Sequence, residues 1–483
     1  MPYRRDRLTA RTPRGLLTAE LGRTNPWWSD PVWPARDPQL IVAKSAPYTY
    51  APAVLADIAS PNLYTLRGPR RVGKSTVLKQ TIARLCADID PRRVIHVAAD
   101  TLRNARDLTT SLQAARAMFP DVDGARYVFV DEVTSVVDWH TGMKWLRDNT
   151  ALSADCIVVS GSSSADVAAG TESLAGRRGP ATGTDRLLLP MAFPEFVRAA
   201  GYRLPEPARL SLGDLHGAAG WSAVQQAAVH AATLSEAFDA YLAIGGFPRA
   251  VADFRTTGRI SPGFLRDLWD VIRSDLRRLG VTRPETCLRL IERLTTAMCS
   301  PVSFRKLGEE LGADQRTVAS WVETLAESYL AIILFRETDG VPDVARQRKV
   351  YLTDPALAAL LETLASDAEK VRTGQHAQMV VAAALFRATN GNEVDRFRDP
   401  DRLFHFTSRQ GSEIDFLVIP ERIVVASKYV DTVDRRDGRA MLDNFGGGLV
   451  VTRTAIELDG PLTFVPASIF CWLLEQSRAS QAV

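Results

Sequence analysis

A glycine-rich stretch that ends in a lysine and two hydroxyl residues is the part of this sequence best suited to chemistry. It runs from Gly68 to Thr76 as GPRRVGKST and fits the spacing G-x-x-x-x-G-K-[ST]. Its glycines permit backbone conformations in which successive N–H groups point at phosphate oxygens. Lys74 is expected to reach the terminal phosphates of a nucleotide, and the Ser75 hydroxyl to ligate Mg²⁺. The predicted phosphate-binding residues are Gly68, Pro69, Arg71, Val72, Gly73, Lys74, Ser75 and Thr76.

Two carboxylates follow an apolar run further along the chain. The run Tyr127–Val130 is typical of a buried strand, and Asp131 and Glu132 come directly after it. A strand of this kind, next to a phosphate loop, carries an Asp that holds Mg²⁺ and a Glu that acts as general base toward the attacking water. We therefore expect Asp131 to be a metal ligand and Glu132 to be catalytic. Because a protein that only binds nucleotide needs no base, Glu132 favours hydrolysis.

A third polar position follows the next apolar run, which ends in Ser160-Gly161-Ser162. A side chain there would lie between the phosphate loop and the acidic strand and would sense the terminal phosphate. Ser162 is the predicted residue. The alternative is a hydroxyl-rich turn that caps the following helix.

The elements that must position these residues are short strands alternating with helices between about residues 60 and 190. This alternation is typical of a parallel α/β sheet. The pattern becomes helical from about 191 to 280, and residues 283–337 predict three helices and a closing strand. After about 370 a further helix leads into strands around 393–428. The strands predicted for the first sheet are Asn62–Arg67, Arg93–Ala98, Arg126–Val130, Cys156–Ser160 and Arg186–Leu189.

The overall composition limits the protein class more than the function. A chain of 483 residues exceeds what one hydrophobic core usually serves, so two to four domains are expected. The net charge of +3 neither demands nor excludes nucleic acid. The scattered cysteines argue against a disulfide framework or a zinc cage. With no apolar segment after the basic N-terminus and no stretch of about 18 apolar residues, a cytoplasmic protein is the expectation.

With these residues in hand, the chain resembles a family of prokaryotic AAA-type P-loop ATPases. Members carry a winged helix and a C-terminal domain of unknown function with a restriction-endonuclease-like fold. The resemblance runs from about residue 40 to 470. The segments that carry it are Gly68–Thr76, Val128–Glu132, Val159–Ser162, Ser173–Arg177, Leu189–Phe196, Tyr241–Pro248 and Gly411–Phe416.

The resemblance implies a P-loop NTPase sheet, parallel and with helices on both faces, followed by smaller domains. The last of these would be a degenerate α/β domain of the restriction-endonuclease type. The expected division is an N-terminal arm (1–50), a P-loop ATPase core (51–195), a helical lid (196–280), a winged helix (281–340) and the endonuclease-like domain (341–483). The arm, rich in Pro, Arg and Trp, is expected to be irregular and to pack its tryptophans on the core.

Further roles are implied by the resemblance alone. Arg177 looks like the family's arginine after the sensor strand, which reaches the terminal phosphate in its own or a neighbouring subunit. Arg178 and Arg186 are alternatives for that role. Gly246 and Pro248 are similar to a Gly-x-Pro element by which related switches pack a helical lid against bound nucleotide. A simple helix break is the alternative there.

A helix-turn-helix pattern precedes the C-terminal part of the chain. It comprises the helices Phe304–Leu311 and Gln315–Ser328 and a closing strand, Tyr329–Phe335. DNA binding would need cations on the second helix, which carries Arg316 but also two glutamates. A structural or protein-contacting winged helix is therefore favoured over a DNA-binding one.

The endonuclease-like part lacks some of the residues that such a nuclease needs. Asp415 supplies an acid at one strand and Lys428 a lysine on the next, but Ala426 stands where the family pattern has Glu. Gln378 stands on the preceding helix where relatives commonly have an acid. Since Mg²⁺ prefers several anionic oxygens, we expect a non-cleaving docking module. Glu413 or Glu421 would be substitutes, although neither has the expected strand position.

The leading hypothesis is thus an ATPase that uses ATP and Mg²⁺ to drive conformational change or assembly. The expected partners are DNA or another protein, in a homo-oligomer and away from membranes. A nucleotide-switched binding protein with negligible turnover is the first alternative. An ATP-dependent nuclease is the second.

Overall fold

The computed structural model describes residues 14–161, 173–278, 283–344, 346–364, 373–390 and 402–475. The predicted phosphate sensor Ser162 lies outside these ranges. Among the helices within them, none combines the length and the apolar character that crossing a membrane requires.

The predicted parallel sheet forms, and its order sets the geometry of the first half of the chain. Its strands run β2-β3-β4-β1-β5, all parallel. Most residues of these strands are buried because both faces of the sheet are covered, as is usual for parallel sheets. The bounds agree with the predicted ones to within two residues, and those of β4 are identical to the prediction. They are β1 (Leu63–Arg67), β2 (Val94–Ala98), β3 (Tyr127–Asp131), β4 (Cys156–Ser160) and β5 (Asp185–Leu187).

Helices cover both faces of this sheet, as the fold class predicted. Successive residues of β1 point to opposite faces: Leu63 belongs to one apolar cluster and Tyr64 to another. The helix that follows the glycine-rich stretch packs on the Tyr64 face, and two later helices pack on the Leu63 face. These helices are α3 (Lys74–Asp88), α4 (Ala105–Ala117) and α5 (Trp139–Asn149).

The prediction of an irregular N-terminal arm is wrong, because much of the arm is helical. It forms α1 (Arg14–Thr24) and α2 (Pro38–Ser45), with short 3-10 turns between them. The Asp37 carboxylate accepts the N–H groups of Gln39 and Leu40, and Pro38 occupies the first helical position. Asp-Pro at this place is a helix start signal that the sequence analysis passed over. The tryptophans pack as expected, and Trp27 and Trp33 are buried.

The arm also covers the open edge of β2. The Asn25 side-chain amide donates to the His96 carbonyl at 2.9 Å, and its Oδ1 accepts the His96 N–H at 2.6 Å. The indole N–H groups of Trp27 and Trp28 both donate to the Val94 carbonyl, at 2.9 and 2.8 Å. Side chains thus satisfy backbone groups that an edge strand would otherwise leave unpaired.

A run of helices follows the parallel sheet, as predicted for residues 191–337. The first six are α6 (Phe193–Ala200), α7 (Leu212–His216), α8 (Ala218–Ala228), α9 (Ala231–Ile244), α10 (Pro248–Thr257) and α11 (Pro262–Arg278). The next three are α12 (Pro284–Thr296), α13 (Phe304–Leu311) and α14 (Gln315–Glu327). The last two and their turn have the bounds predicted for a helix-turn-helix, to within a residue. That this unit is a winged helix stays a prediction.

The C-terminal part is a mixed sheet. Its eight strands run β14-β15-β13-β12-β11-β10-β7-β8, while β6 and β9 pair separately and antiparallel. The neighbours β10, β11 and β12 are antiparallel, whereas β12, β13 and β15 are parallel. The hairpin β7–β8 crosses residue 340, so strands on both sides of that expected boundary join one sheet. The strands are β6 (Ala331–Leu334), β7 (Arg336–Thr338), β8 (Val341–Asp343), β9 (Lys349–Leu352), β10 (Leu403–Thr407), β11 (Glu413–Val418), β12 (Ile423–Ser427), β13 (Gly448–Thr452), β14 (Glu457–Asp459) and β15 (Leu462–Pro466).

Within the described residues, four helices accompany the mixed sheet, and two of them precede its central strands. They are α15 (Pro355–Leu364), α16 (Thr373–Asn390), α17 (Arg439–Phe445) and α18 (Ala467–Leu473).

The contribution of Asn25 to covering the edge of β2 is testable. Asn25→Ala leaves the buried N–H and carbonyl of His96 without their partner, which is expected to destabilise the protein by about 1–3 kcal/mol. Thermal unfolding measures the effect as a lowered Tm. Asn149→Ala is the matched control, because Asn149 is exposed and bonds only to Trp145 one turn back in its own helix at 2.9 Å. Equal Tm values for the two variants would contradict the proposed role of Asn25.

Candidate functional site

The glycine-rich loop is curled between β1 and α3 by three residues with positive φ. These are Gly68 at +148°, Arg71 at +68° and Gly73 at +101°. An arginine in the left-handed region is strained, and such strain persists where the surrounding structure imposes it. At Gly68 an added Cβ would lie 2.0 Å from the Leu188 carbonyl oxygen, so only glycine fits. The loop therefore has the tight backbone that its sequence predicted.

Lys74, the first residue of α3, turns back over this loop. Its Nζ donates to the carbonyl oxygens of Gly68 at 2.8 Å and Pro69 at 3.1 Å, and the residue is only 6% exposed. The side chain of Val72 is buried in the apolar cluster that contains Tyr64 and so holds the loop against the sheet. The ammonium thus lies at the mouth of the curled backbone, next to the positive end of a helix.

The sheet order brings the acidic strand to the same edge. Leu66 of β1 lies opposite Ser160 of β4, and Val159 of β4 lies opposite Val130 of β3. Asp131, the last residue of β3, therefore lies two strands away from the loop. With about 4.8 Å between neighbouring strands, the separation across the sheet is about 10 Å. The loop and the acid predicted to share a site lie on either side of the end of β4.

Ser160 is a site residue that the sequence analysis missed. Its buried hydroxyl donates a hydrogen bond to Asp131 Oδ1 and accepts the Glu132 N–H at 3.1 Å. Glu132 itself has a φ of +54°, which is uncommon for a residue other than glycine. The serine thus fixes both the carboxylate direction of Asp131 and the sharp turn that follows it. The available signal was a hydroxyl residue at the last position of the strand between loop and acid.

Arg177 lies at the opposite edge of the sheet. The carbonyl of its neighbour Arg178 accepts the N–H of Leu63 at 2.8 Å, and Leu63 begins β1 whereas the loop follows its end. A five-residue strand spans about 15 Å. The Arg177 guanidinium pairs with Asp148 at 2.7 Å. The structure thus does not bring Arg177 to the loop of its own chain, and the alternative in a neighbouring subunit stays a prediction.

The two alternative arginines take part in ion pairs with other carboxylates. Arg178 bonds to Asp185 at 2.5 Å, and Arg186 bonds to Asp57 at 2.9 Å. Asp185 also accepts hydrogen bonds from Arg67 at 2.8 Å and Thr65 at 2.7 Å. Burial raises the pKa of Asp185, but the two guanidinium groups outweigh it and the net pKa is lowered. This cluster joins β5 to β1 directly beneath the loop.

The Gly-Gly-Phe-Pro turn packs against three other segments. The Gly246 N–H donates to Asp354 at 2.8 Å, and the Gly246 carbonyl accepts the Met191 N–H at 2.7 Å. The carbonyl of Pro248 accepts the Tyr48 hydroxyl at 2.5 Å. The turn therefore links the segment after β5 to the C-terminal half of the chain. A direct role of Gly246 and Pro248 toward nucleotide stays a prediction.

Comparisons with known proteins identify part of this arrangement. Residues 60–197 match the family model of an AAA domain, and residues 235–368 match that of a domain of unknown function, DUF8612. No curated protein matches the sequence. The AAA match spans the glycine-rich loop, the acidic pair and Ser160.

Two solved structures share a low overall similarity with the chain. One is the ORC1 protein of Aeropyrum pernix in complex with DNA, at 15% identity and a TM-score of 0.27, covering 72% of this chain and 92% of that one. The other is Cdc6p from Pyrobaculum aerophilum, at 14% identity and a TM-score of 0.24, covering 74% and 98%. Scores this low identify no shared function.

The turn at Gly246 is expected to make stability depend on pH. Burial raises the pKa of Asp354 to about 7, against about 3.9 in an unfolded chain. The folded state therefore binds a proton that the unfolded state lacks, and the resulting stabilisation is complete below about pH 4 and is lost as the pH rises through about 7. The Tm of the wild-type protein should therefore fall as the pH rises toward about 7, and Asp354→Asn should remove this part of the pH dependence.

The measurement is Tm between pH 5 and pH 8.5 for wild type and variants. Asp443→Asn, at an exposed carboxylate paired with Arg439, should keep the wild-type slope. A wild-type slope in Asp354→Asn would show that Asp354 does not titrate in this range.

Proposed function

We propose that residues 60–197, which match the family model of an AAA domain, form a P-loop domain that binds ATP with Mg²⁺ and hydrolyses it. The observation that carries the proposal is the convergence at one sheet edge. Lys74 turns over the curled loop, while Ser160 orients Asp131 at the end of β3 two strands away. Lys74 and Glu132 are the proposed catalytic residues.

The residues present fit a nucleotide phosphate and a hard cation. The positive φ angles at Gly68, Arg71 and Gly73 are typical of backbones that turn their N–H groups toward an anion. The hydroxyl of Ser75 and the carboxylate of Asp131 are oxygen donors, which Mg²⁺ prefers. Bound Mg²⁺ would supply positive charge to the transferring phosphoryl group. Pro69, Val72 and Thr76 complete the proposed nucleotide contacts.

The proposed chemistry assigns each side chain one task. Lys74 exchanges its bonds to the Gly68 and Pro69 carbonyls for bonds to phosphate oxygens, so its N–H groups stay hydrogen-bonded throughout. Asp131, oriented by Ser160, would be a ligand of the cation. Glu132 accepts the proton of the attacking water.

Conformational change would reach the rest of the chain through the segments that touch the loop. Arg71 of the loop lies 3.8 Å from Asp267 of α11. The Leu188 carbonyl, which abuts Gly68, is three residues from Met191, whose N–H bonds to Gly246. We infer that a change in the loop is transmitted along both routes to the helices that follow.

The helix-turn-helix favours a protein partner over DNA. Arg305 of α13 pairs with Glu309 at 3.2 Å, and Arg348 before β9 pairs with Glu323 of α14 at 3.7 Å. Cations that are neutralised in this way offer little to a phosphate backbone. A homo-oligomer in which Arg177 reaches the loop of a neighbour completes the proposal, since Arg177 does not reach its own.

Two substitutions separate binding from hydrolysis. Lys74→Ala removes the ammonium from the phosphate loop and is expected to weaken ATP binding by about 100-fold. Glu132→Gln keeps the shape of the side chain but not the base, so binding stays within about threefold while kcat falls by about 100-fold or more. Fluorescent-nucleotide titration and phosphate release measure the two effects. Hydrolysis that survives both changes would refute the assignment.

Ser160 gives a second test of the same site. Ser160→Ala removes the donor that orients Asp131, so the Mg²⁺ concentration for half-maximal rate should rise about tenfold, with a smaller change in the KM for ATP. Ser160→Thr retains the hydroxyl and should restore Mg²⁺ dependence to within about threefold. If the alanine variant lowered kcat alone, with Mg²⁺ dependence unchanged, Ser160 would have a structural role only.

A further inference from the structure

A buried lysine lies at the carboxylates of the C-terminal sheet. Lys349, at the start of β9, is fully buried. Its Nζ bonds to Asp415 Oδ1 at 2.9 Å and also to Glu413 Oε1. Both carboxylates belong to β11, so the ammonium of one strand stands between two acids of another.

Further donors converge on the same carboxylate. Gln378 Nε2 donates to Asp415 Oδ1 at 2.9 Å and to the Tyr351 hydroxyl at 3.0 Å. The backbone N–H of Ser427 donates to Asp415 Oδ2 at 2.9 Å. Both oxygens of Asp415 are therefore occupied by donors from the chain. The position of Gln378 next to Asp415 agrees with the family pattern, in which an acid of this helix shares the site.

The lysine predicted from the sequence is a different residue. The side chain of Lys428 is exposed, and its N–H continues the pairing of β12 with β13 by donating to Val451 at 2.7 Å. Glu421 is also exposed and lies beyond the far end of β11. Of the two substitutes considered for the missing acid, Glu413 is thus the one beside Asp415.

We propose that Lys349 supplies the cation of this site: its ε-ammonium occupies the position between Asp415 and Glu413 that a divalent metal ion would otherwise take. We call these two ion pairs the clasp; they join β9 to β11 without a metal ion. This inference does not depend on the ATPase proposal, because it concerns a different sheet.

Electrostatics favour the ammonium in this place. Burial lowers the pKa of Lys349, but Asp415 and Glu413 outweigh that effect and raise it above its usual value. An ammonium is a compact charge with three donors, which suits a gap between two carboxylates. Because it is covalently attached, it also loses far less freedom on occupying the site than a free metal ion would. To bind here, a divalent cation would have to displace the ammonium despite its attraction to both carboxylates and its smaller loss of freedom.

The clasp also has a mechanical consequence. The strand β9 pairs with β6, which directly follows the helix-turn-helix. The bonds of Lys349 therefore connect that unit to the centre of the mixed sheet. Breaking a buried ion pair by removing one partner is strongly destabilising, since the other charge is left uncompensated.

The test is Mn²⁺ binding to the full-length, nucleotide-free chain, followed by the electron paramagnetic resonance of free Mn²⁺. Wild type and Lys349→Arg should bind no Mn²⁺ that depends on Asp415. Lys349→Ala vacates the gap and should gain about one Mn²⁺ per chain, with a Kd near or below about 1 mM. The added Mn²⁺ should also raise the Tm of Lys349→Ala, and the double variant Lys349→Ala/Asp415→Asn should lose both effects.

Three results would overturn the proposal. The first is Mn²⁺ binding by wild type that Asp415→Asn abolishes. The second is Mn²⁺-dependent plasmid cleavage by wild type that the same change abolishes, and the third is a folded Lys349→Ala variant that gains no Mn²⁺.

If Lys349→Ala does not fold, the Tm values of variants that remove the carboxylates, with and without the lysine, test whether Lys349 compensates these acids. Glu413→Gln/Asp415→Asn leaves the ammonium buried without its carboxylates and should lower Tm, whereas adding Lys349→Met should restore much of the loss. An unrestored Tm would show that Lys349 does not compensate these acids.

Discussion

The parallel register of β1, β4 and β3 is the constraint on which the candidate site depends. Parallel neighbours end at the same edge of a sheet, so a loop after β1 and an acid after β3 must flank the end of β4. Ser160 stands at that end and bonds to the acid. A slip of one residue in β4 would turn its side chain to the other face and remove this bond. The chemistry therefore rests on strand pairing as much as on the motif residues.

Two lysines with little solvent exposure, Lys79 and Lys349, differ in the number of carboxylates that they contact. Lys79 of α3 lies 3.5 Å from Asp37 of the arm and over the rings of Trp27 and Trp33, at 5.2 and 5.8 Å. Its pKa is lowered, because burial outweighs the attraction of Asp37. Lys349 has two carboxylates and the opposite net shift. The two pKa shifts differ in direction because Lys79 contacts one carboxylate and Lys349 contacts two.

The glycine-rich loop is connected to the C-terminal half through backbone contacts at close range. Gly68 abuts Leu188, and an added Cβ at Gly246 would lie 2.0 Å from the Met191 carbonyl oxygen. The buried carboxylate of Asp354 holds the Gly246 amide from the other side. Because such packing leaves no room for a side chain, displacement of the loop has to move the segment after β5 or break these bonds. The two glycines thus set how tightly the halves are coupled.

The sequence by itself determined the phosphate loop, the acidic pair and the five strands of the parallel sheet, because these depend on local spacing and on runs of apolar residues. The sequence also shows directly that position 426 is an alanine and not an acid. It misjudged the arm, whose helix start at Asp37-Pro38 was a local signal that the abundance of proline and tryptophan obscured. Only the tertiary structure decided the partners of Asp131 and Asp415. Ser160 and Lys349 lie 29 and 66 residues from those acids along the chain. The pairing of β4 with β3 brings Ser160 to Asp131, and side-chain packing between β9 and β11, which belong to different sheets, brings Lys349 to Asp415. Sequence spacing encodes neither contact.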